Sequence, residues 1–197
     1  SVFGLVLVPT RELAMQVAEA VHRYGREAGV RVLAVYGGSS MGLQLRALER
    51  GVDVVVATPG RALDHVRRGT LALAGVKLVV LDEADEMLDM GFAEDLEAIL
   101  DATPDGRPMA LFSATFPPRI AVLAARRLSS PTELRLGASR AMGTTPEGQG
   151  RVKQTAYVVA RAHKLAALSR VLDLEDPTSA IVFCRTRTEV DEISEKL

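Results

Sequence analysis

The stretch Val76-Lys77-Leu78-Val79-Val80-Leu81-Asp82-Glu83-Ala84-Asp85 runs apolar and then turns acidic. A strand buried on both faces reads this way, and in open α/β sheets ligands gather beyond the carboxyl ends of the strands. An aspartate placed there can hold Mg2+, directly or through water, against nucleotide phosphates, because Mg2+ takes oxygen ligands and keeps several waters. A neighbouring carboxylate that does not ligate the metal is free to orient or deprotonate an attacking water. The plainer alternative is that Asp82, Glu83 and Asp85 only open a helix, where each would complement the dipole by about 0.3–1 kcal/mol. On these residues alone the two readings stand even.

Other polar loops accompany them. Pro9-Thr10-Arg11-Glu12-Leu13-Ala14 follows the apolar run Val2 to Val8, Thr58-Pro59-Gly60-Arg61 follows Asp53 to Ala57, and Ser113-Ala114-Thr115 follows Pro108 to Phe112. In a parallel sheet all of them reach one edge, together with the acidic residues. The first two combine a hydroxyl, a turn-forming proline and an arginine at a helix amino terminus, where free amides donate to phosphate oxygens. Gly37-Gly38, after the run Arg31 to Tyr36, lets another backbone come close with no Cβ in the way. Singly, each loop is ordinary: proline and glycine punctuate loops, Ser113 and Thr115 fit helix capping before Pro117, and an exposed arginine is usually a solvated one. Four such loops in register are much harder to obtain by chance.

A parallel sheet covered by helices is the element that would position them. Short apolar runs alternate with helical patterns along almost the whole chain, the remaining runs being Thr132 to Leu136, Thr155 to Val159 and Ala180 to Phe183. Helices are expected over Glu12 to Tyr24, Met41 to Arg50, Ala62 to Arg68, Ala93 to Ala102, Arg119 to Leu128, Lys164 to Leu172 and Thr188 to Leu197. In the first of these Leu13, Val17, Ala20, Val21 and Tyr24 recur at three and four residues, as one buried face requires. Gly137 to Gly150 breaks the rhythm with four glycines, a proline and small polar residues, and reads as a linker. The expected organisation is therefore a first domain over 1–136, a linker over 137–150 and the beginning of a second domain over 151–197.

Of the 197 residues, 48% are hydrophobic and 25% charged, the profile of a globular chain with a real core. No run approaches the roughly 18 apolar residues of a membrane span, and Ser1 leads directly into Val2 to Val8 with no basic leader or cleavage site. Cys184, the single cysteine, excludes an internal disulfide and leans toward a reducing compartment. The net charge of −1 gives no general field for a polyanion, so one that binds must use local amides and a few placed arginines.

Ordered along the chain, Pro9 to Ala14, Gly37-Gly38, Thr58 to Arg61, Asp82 to Asp85 and Ser113 to Thr115 resemble motifs Ia, GG, Ib, II and III of the DEAD-box RNA helicases of superfamily 2. The resemblance covers nearly the whole chain. Ala180-Ile181-Val182-Phe183-Cys184-Arg185-Thr186-Arg187 is similar to motif IV, more loosely, since many members carry Asn where Arg185 stands.

The resemblance implies an α/β fold with a RecA-like parallel sheet flanked by helices, plus the start of a second RecA-like domain. It implies ATP and Mg2+ as cofactors, RNA as partner, no membrane, a cytoplasmic setting, and ATP-driven local unwinding of duplexes. Asp82 and Glu83 would serve Mg2+ and the hydrolytic water, Mg2+ being held by Asp82 through water. Asp85 would bond toward Ser113 and Thr115 and couple hydrolysis to unwinding. Pro9, Thr10, Arg11, Gly37, Gly38, Thr58, Pro59, Gly60, Arg61, Arg185 and Thr186 would hold the RNA backbone with little sequence specificity. No Gly-x-x-x-x-Gly-Lys-[Ser/Thr] loop occurs in the 197 residues. That loop and the adenine-reading glutamine motif are expected before Ser1, and the arginine-finger motifs beyond Leu197, so the chain reads as an internal slice whose own ATPase activity is expected to be nil.

Two other classes compete. A non-catalytic RNA-binding or interaction module would use the same loops without turnover. An α/β phosphohydrolase with Asp82 as nucleophile explains neither the Arg11 and Arg61 loops nor Ser113 to Thr115. His22, His65 and His163 lack partners at metal-ligand spacing, which argues against zinc, and Cys184 reads as a buried structural thiol.

Overall fold

A computed structural model describes residues 2–136, 153 and 155–196. It divides into two units, Ser1–Leu134 and Arg135–Leu197, and the linker expected over 137–150 lies outside the described residues.

The first unit alternates strand and helix: β1 (Gly4–Leu7), α1 (Arg11–Gly25), β2 (Val32–Val35), α2 (Met41–Arg50), β3 (Val54–Ala57), α3 (Pro59–Arg67), β4 (Leu78–Leu81), α4 (Ala84–Asp89), α5 (Ala93–Asp101), β5 (Met109–Leu111) and α6 (Pro118–Arg127). The strands form one five-stranded sheet in the order β2-β3-β1-β4-β5. All four pairings are parallel, with Leu7 opposite both Ala57 and Leu81, and Leu81 opposite Leu111. The last residues of the strands are therefore level, and the loops that follow them share one edge.

Alternation along each strand sorts the core into two layers. Leu5, Leu7, Val55, Ala57, Val79 and Leu81 belong to a large cluster with Leu63 of α3, Met87 of α4, Leu96, Ile99 and Leu100 of α5, and Ile120 of α6. Val8 and Val56 belong to a smaller cluster with Ala14, and Leu13, Val17 and Ala18 of α1 pack against it. A right-handed crossover from β1 leftward to β2 puts α1 on the face opposite the other helices. Its buried face differs from the expected one: Ala14 and Ala18 turn inward, while Tyr24 is 78% exposed, with the Arg23 guanidinium 5.1 Å from its ring centre. The small alanines let α1 lie close to the sheet, while Tyr24 in its last turn is left at the surface.

The six-residue α4 was expected only through the plainer alternative, a helix opened by the acidic residues, because it has too few turns to show a period. No strand forms over Thr132 to Leu136, where Leu134 and Leu136 are exposed.

The second unit holds a short 3-10 helix (Arg161–His163), α7 (Lys164–Glu175) and α8 (Arg187–Lys196). The strands expected over Thr155 to Val159 and Ala180 to Phe183 do not form. A strand exists only as paired backbone, and here the apolar residues stay uncovered, Val158, Ile181 and Phe183 among them. Cys184 is half-buried rather than buried. Among the described residues no helix is long and apolar enough to cross a membrane.

Candidate functional site

β4 delivers Asp82 and Glu83 at the shared edge, beside the end of β1. The Asp82 amide donates to the Leu7 carbonyl at 3.0 Å, and the Ala84 amide donates to Phe112 across the end of β5 at 3.0 Å. Between these two ties the chain turns sharply, and Glu83 takes φ 51° and ψ 49°. A left-handed conformation costs a non-glycine residue about 1–2 kcal/mol, so the turn persists because its flanks are fixed. It leaves the Glu83 side chain exposed and Asp82 half-buried. Oδ1 of Asp82 accepts the Glu83 amide at 3.0 Å, and its other oxygen has no hydrogen-bond partner among the described residues. Among the described residues no cluster of three His, Cys, Asp or Glu stands here. An oxygen donor with no further protein ligands suits Mg2+, which keeps most of its waters. This is an arrangement that Asp82 can serve through water, with Glu83 beside it.

Asp85, in the first turn of α4, reaches back to the β5 loop. Its Oδ2 accepts from the Thr115 amide at 2.9 Å and from the Thr115 hydroxyl at 2.6 Å. The Ser113 hydroxyl donates to the Thr115 carbonyl at 2.6 Å and steadies the loop from within. The Thr115 hydroxyl above all holds the Asp85 carboxyl at a pKa of about 2, against the opposing effect of burial, with smaller contributions from Ser113 and from the Thr115 and Glu86 amides. A folded-state value below the unfolded one stabilises the fold above the unfolded value near 4 and loses that contribution as pH falls toward 2. Asp85→Asn is accordingly expected to be less stable than the parent near neutrality, with the difference shrinking below about pH 4. Urea midpoints measured across that range check it; a difference independent of pH would mean that Asp85 is not held ionised.

The two threonine-arginine loops share a sequence pattern but not a geometry. Thr10 caps α1, its hydroxyl accepting the Leu13 amide at 3.2 Å. Thr58 precedes α3 without a side-chain cap bond, and Pro59 brings no amide, so the Thr58 hydroxyl and the first amides of α3 stay available to a ligand. The Arg11 guanidinium pairs with Glu12, Nε to Oε1 at 3.0 Å, and both side chains are more than half exposed. Arg61 turns inward: NH1 donates to the Ser39 carbonyl at 3.0 Å and to Gln44 Oε1 at 3.1 Å.

Gly38, at φ 82°, links the loops. A Cβ there would lie 3.8 Å from Arg11 NH1, whereas at Gly37 it would meet nothing within 4 Å. The glycine pair thus sits beside Arg11 on one side and is followed by Ser39, which Arg61 holds, on the other. Pro9, Thr10, Arg11, Gly37, Gly38, Thr58, Pro59, Gly60 and Arg61 all lie on the carboxyl edge of β1, β2 and β3, next to the acidic residues at the end of β4.

Arg185 and Thr186 belong to the second unit and serve α8. The Thr186 hydroxyl accepts the Glu189 amide at 3.1 Å while the Glu189 carboxylate accepts the Arg185 amide at 3.0 Å, a capping box displaced by one residue.

Two residues of this edge escaped the sequence reading. Gln44 and His65 are buried polar side chains, His65 Nε2 lying 2.9 Å from Gln44 Oε1. The signal for Gln44 was present: it falls with Met41, Leu45 and Leu48 on the apolar stripe of α2.

The chain belongs to the DEAD/DEAH box helicase family, whose profile matches residues 1–123. Over 98% of its length it is 52% identical to an ATP-dependent RNA helicase DeaD of Mycobacterium tuberculosis, covering 33% of that protein. Over 100% of its length it is 46% identical to a DEAD-box ATP-dependent RNA helicase CshA of Bacillus cereus, covering 36% of it. The chain thus spans about a third of the length of these curated relatives. The crystal structure of a DEAD box protein from the hyperthermophile Methanococcus jannaschii superposes with a TM-score of 0.67 at 35% identity, covering 100% of this chain and 51% of that one. The yeast DEAD-box splicing factor Prp28 gives 0.62 at 31% identity over 66% of this chain and 31% of that one. The parallel sheet flanked by helices is the RecA-like fold of these helicases.

Proposed function

We propose that this chain is the part of an ATP-dependent RNA helicase that carries the acidic ATPase residues and one RNA-facing edge. Residues 1–136 would be the first RecA-like domain, 137–150 the linker and 151–197 the beginning of the second. The activity is proposed for the full-length protein, since the 197 residues contain no Gly-x-x-x-x-Gly-Lys-[Ser/Thr] loop. The observation that carries the reading is the placement of Asp82, Glu83 and the Asp85–Thr115 bond level with the arginine and glycine loops on one sheet edge.

In this reading Asp82 would hold Mg2+ through water, and the ion would supply charge compensation to the ATP phosphates. Glu83, held apart by its left-handed turn, orients and deprotonates the water that attacks the terminal phosphorus. Asp85 grips Thr115, so a shift of α4 during turnover is passed to the β5 loop. Arg11, the Gly37 and Gly38 amides, the Thr58 hydroxyl and the α3 amino terminus meet successive phosphates of a single strand. Pro9, Thr10, Pro59 and Gly60 shape those loops, and Arg185 and Thr186 add contacts from the second unit. Such contacts carry no base information, so binding is indifferent to sequence.

The test uses the full-length protein with unrelated single-stranded RNAs over a range of salt. If Arg11 leaves Glu12 to neutralise a phosphate, Arg11→Ala should flatten the log-affinity against log-salt slope by about 0.7 and weaken all sequences alike. An unchanged slope, or a loss confined to one RNA, overturns the assignment.

A further inference from the structure

Gln44 is the polar residue on the buried stripe of α2, and every hydrogen-bonding atom facing it comes from another element. Its Nε2 donates to the Tyr36 carbonyl, at the end of β2, at 3.1 Å. Its Oε1 lies 3.1 Å from Arg61 NH1 and 2.9 Å from His65 Nε2. Arg61 can only donate, so the oxygen must face α3, and the amide orientation is settled by its partners. The same oxygen requires His65 to carry a proton on Nε2; in the neutral ring Nδ1 then faces the Thr70 hydroxyl at 2.9 Å, which also donates to the His65 carbonyl at 3.1 Å. Burial, reinforced by the Arg61 charge, holds the imidazole below its usual pKa and so favours this neutral form.

The geometry points to Gln44 as the positioning residue of the RNA-facing edge, acting through Arg61. Its amide ties down the root of the Gly37-Gly38 loop at Tyr36, and its oxygen holds Arg61, whose same NH1 grips the loop at Ser39. One end of a loop that contains two glycines is thereby fixed to α2 at Gln44, the other to the amino-terminal turn of α3 at Arg61, and Gln44 joins the two anchors. Phosphate groups along a strand are regularly spaced, so two amide clusters bind them together only if their separation is constant. With Arg61 NH1 spent on Ser39 and Gln44, the charge of Arg61 stays at the edge while its orientation is set from beneath.

This inference rests on the RNA reading of that edge, and the experiment separates the two. The full-length protein is compared as Gln44→Leu, Arg61→Ala, the double variant and Arg11→Ala, with single-stranded RNA affinity and ATP affinity measured for each. Gln44→Leu is expected to weaken RNA about tenfold, the scale of one hydrogen bond to a charged group, with ATP affinity unchanged. In the Arg61→Ala background the same change should cost clearly less RNA affinity than in the parent, only the tie to Tyr36 being left to lose, an outcome that a general loss of stability would not produce. Should Gln44→Leu not fold, Gln44→Asn, one methylene short of Arg61, takes its place with the same expected order. If Arg11→Ala weakens RNA and the Gln44 variants do not, the positioning role is wrong and the RNA edge stands. If neither weakens RNA, the edge assignment fails and the positioning role with it. Equal losses with and without Arg61 also overturn it.

Discussion

Glu83→Gln in the full-length protein should lower RNA-stimulated ATP hydrolysis by about 10^2 to 10^4-fold, the range that a positioned general base supplies, while ATP-dependent RNA binding persists. Glutamine keeps the length of the side chain and its hydrogen-bonding capacity but cannot take a proton at neutral pH. The fold should not notice the change. The turn at residue 83 is held by backbone bonds, from the Asp82 amide to Leu7, from the Ala84 amide to Phe112 and from the Met87 amide to the Glu83 carbonyl, and none of them uses the carboxylate. Asp82 keeps both oxygens as they are, so ATP should still bind with Mg2+. Steady-state hydrolysis and RNA binding in the presence of ATP are the two measurements. Near-normal turnover would remove Glu83 from the chemistry, and joint loss of turnover and binding would make it a binding residue instead.

Leu81→Ala should cost about 2–5 kcal/mol of stability, the range for emptying a filled core position. Leu81 is fully buried in the larger cluster, on the strand that ends at Asp82, and its carbonyl accepts the Phe112 amide at 2.8 Å. Leu78, three residues earlier in the same strand, is 38% exposed; Leu78→Ala should cost no more than about 1 kcal/mol, having less apolar surface to return to water. Urea unfolding monitored on the full-length protein gives both values, and equal costs would contradict the layer assignment. The comparison also bears on function, because a strand that settles into the cavity at Leu81 moves the acidic turn with it.

The shared edge was legible because a parallel sheet has a direction. Once the runs ending at Val8, Tyr36, Ala57, Leu81 and Phe112 are taken as strands of one sheet, the loops after them must emerge on the same side, whatever the strand order. The acidic cluster, the arginines and the glycine pair could be collected that way without knowing that β1 lies between β3 and β4. α4 was legible only as a helix start marked by its acidic residues, for a helix of six residues spans less than two turns and leaves no period to read. The missing strands of the second unit were not legible, since apolar runs such as Ala180 to Phe183 become strands only when another backbone pairs with them.

Residue type and spacing along the chain therefore determined the alternating architecture, the polarity of the edge and the chemical groups assembled there. Tertiary structure decided what each group is bonded to. Thr10 and Thr58 occupy equivalent places in similar loops, yet one hydroxyl caps its helix and the other does not. Arg11 and Arg61 look alike in sequence, yet one pairs with its neighbour at the surface and the other turns inward to Ser39 and Gln44. The reason is that strand and helix periodicity is carried by residues a few positions apart. Ser39, Gln44 and Arg61 meet only because β2 and β3 lie side by side, and no local pattern reports a hydrogen bond between residues 17 or 22 apart.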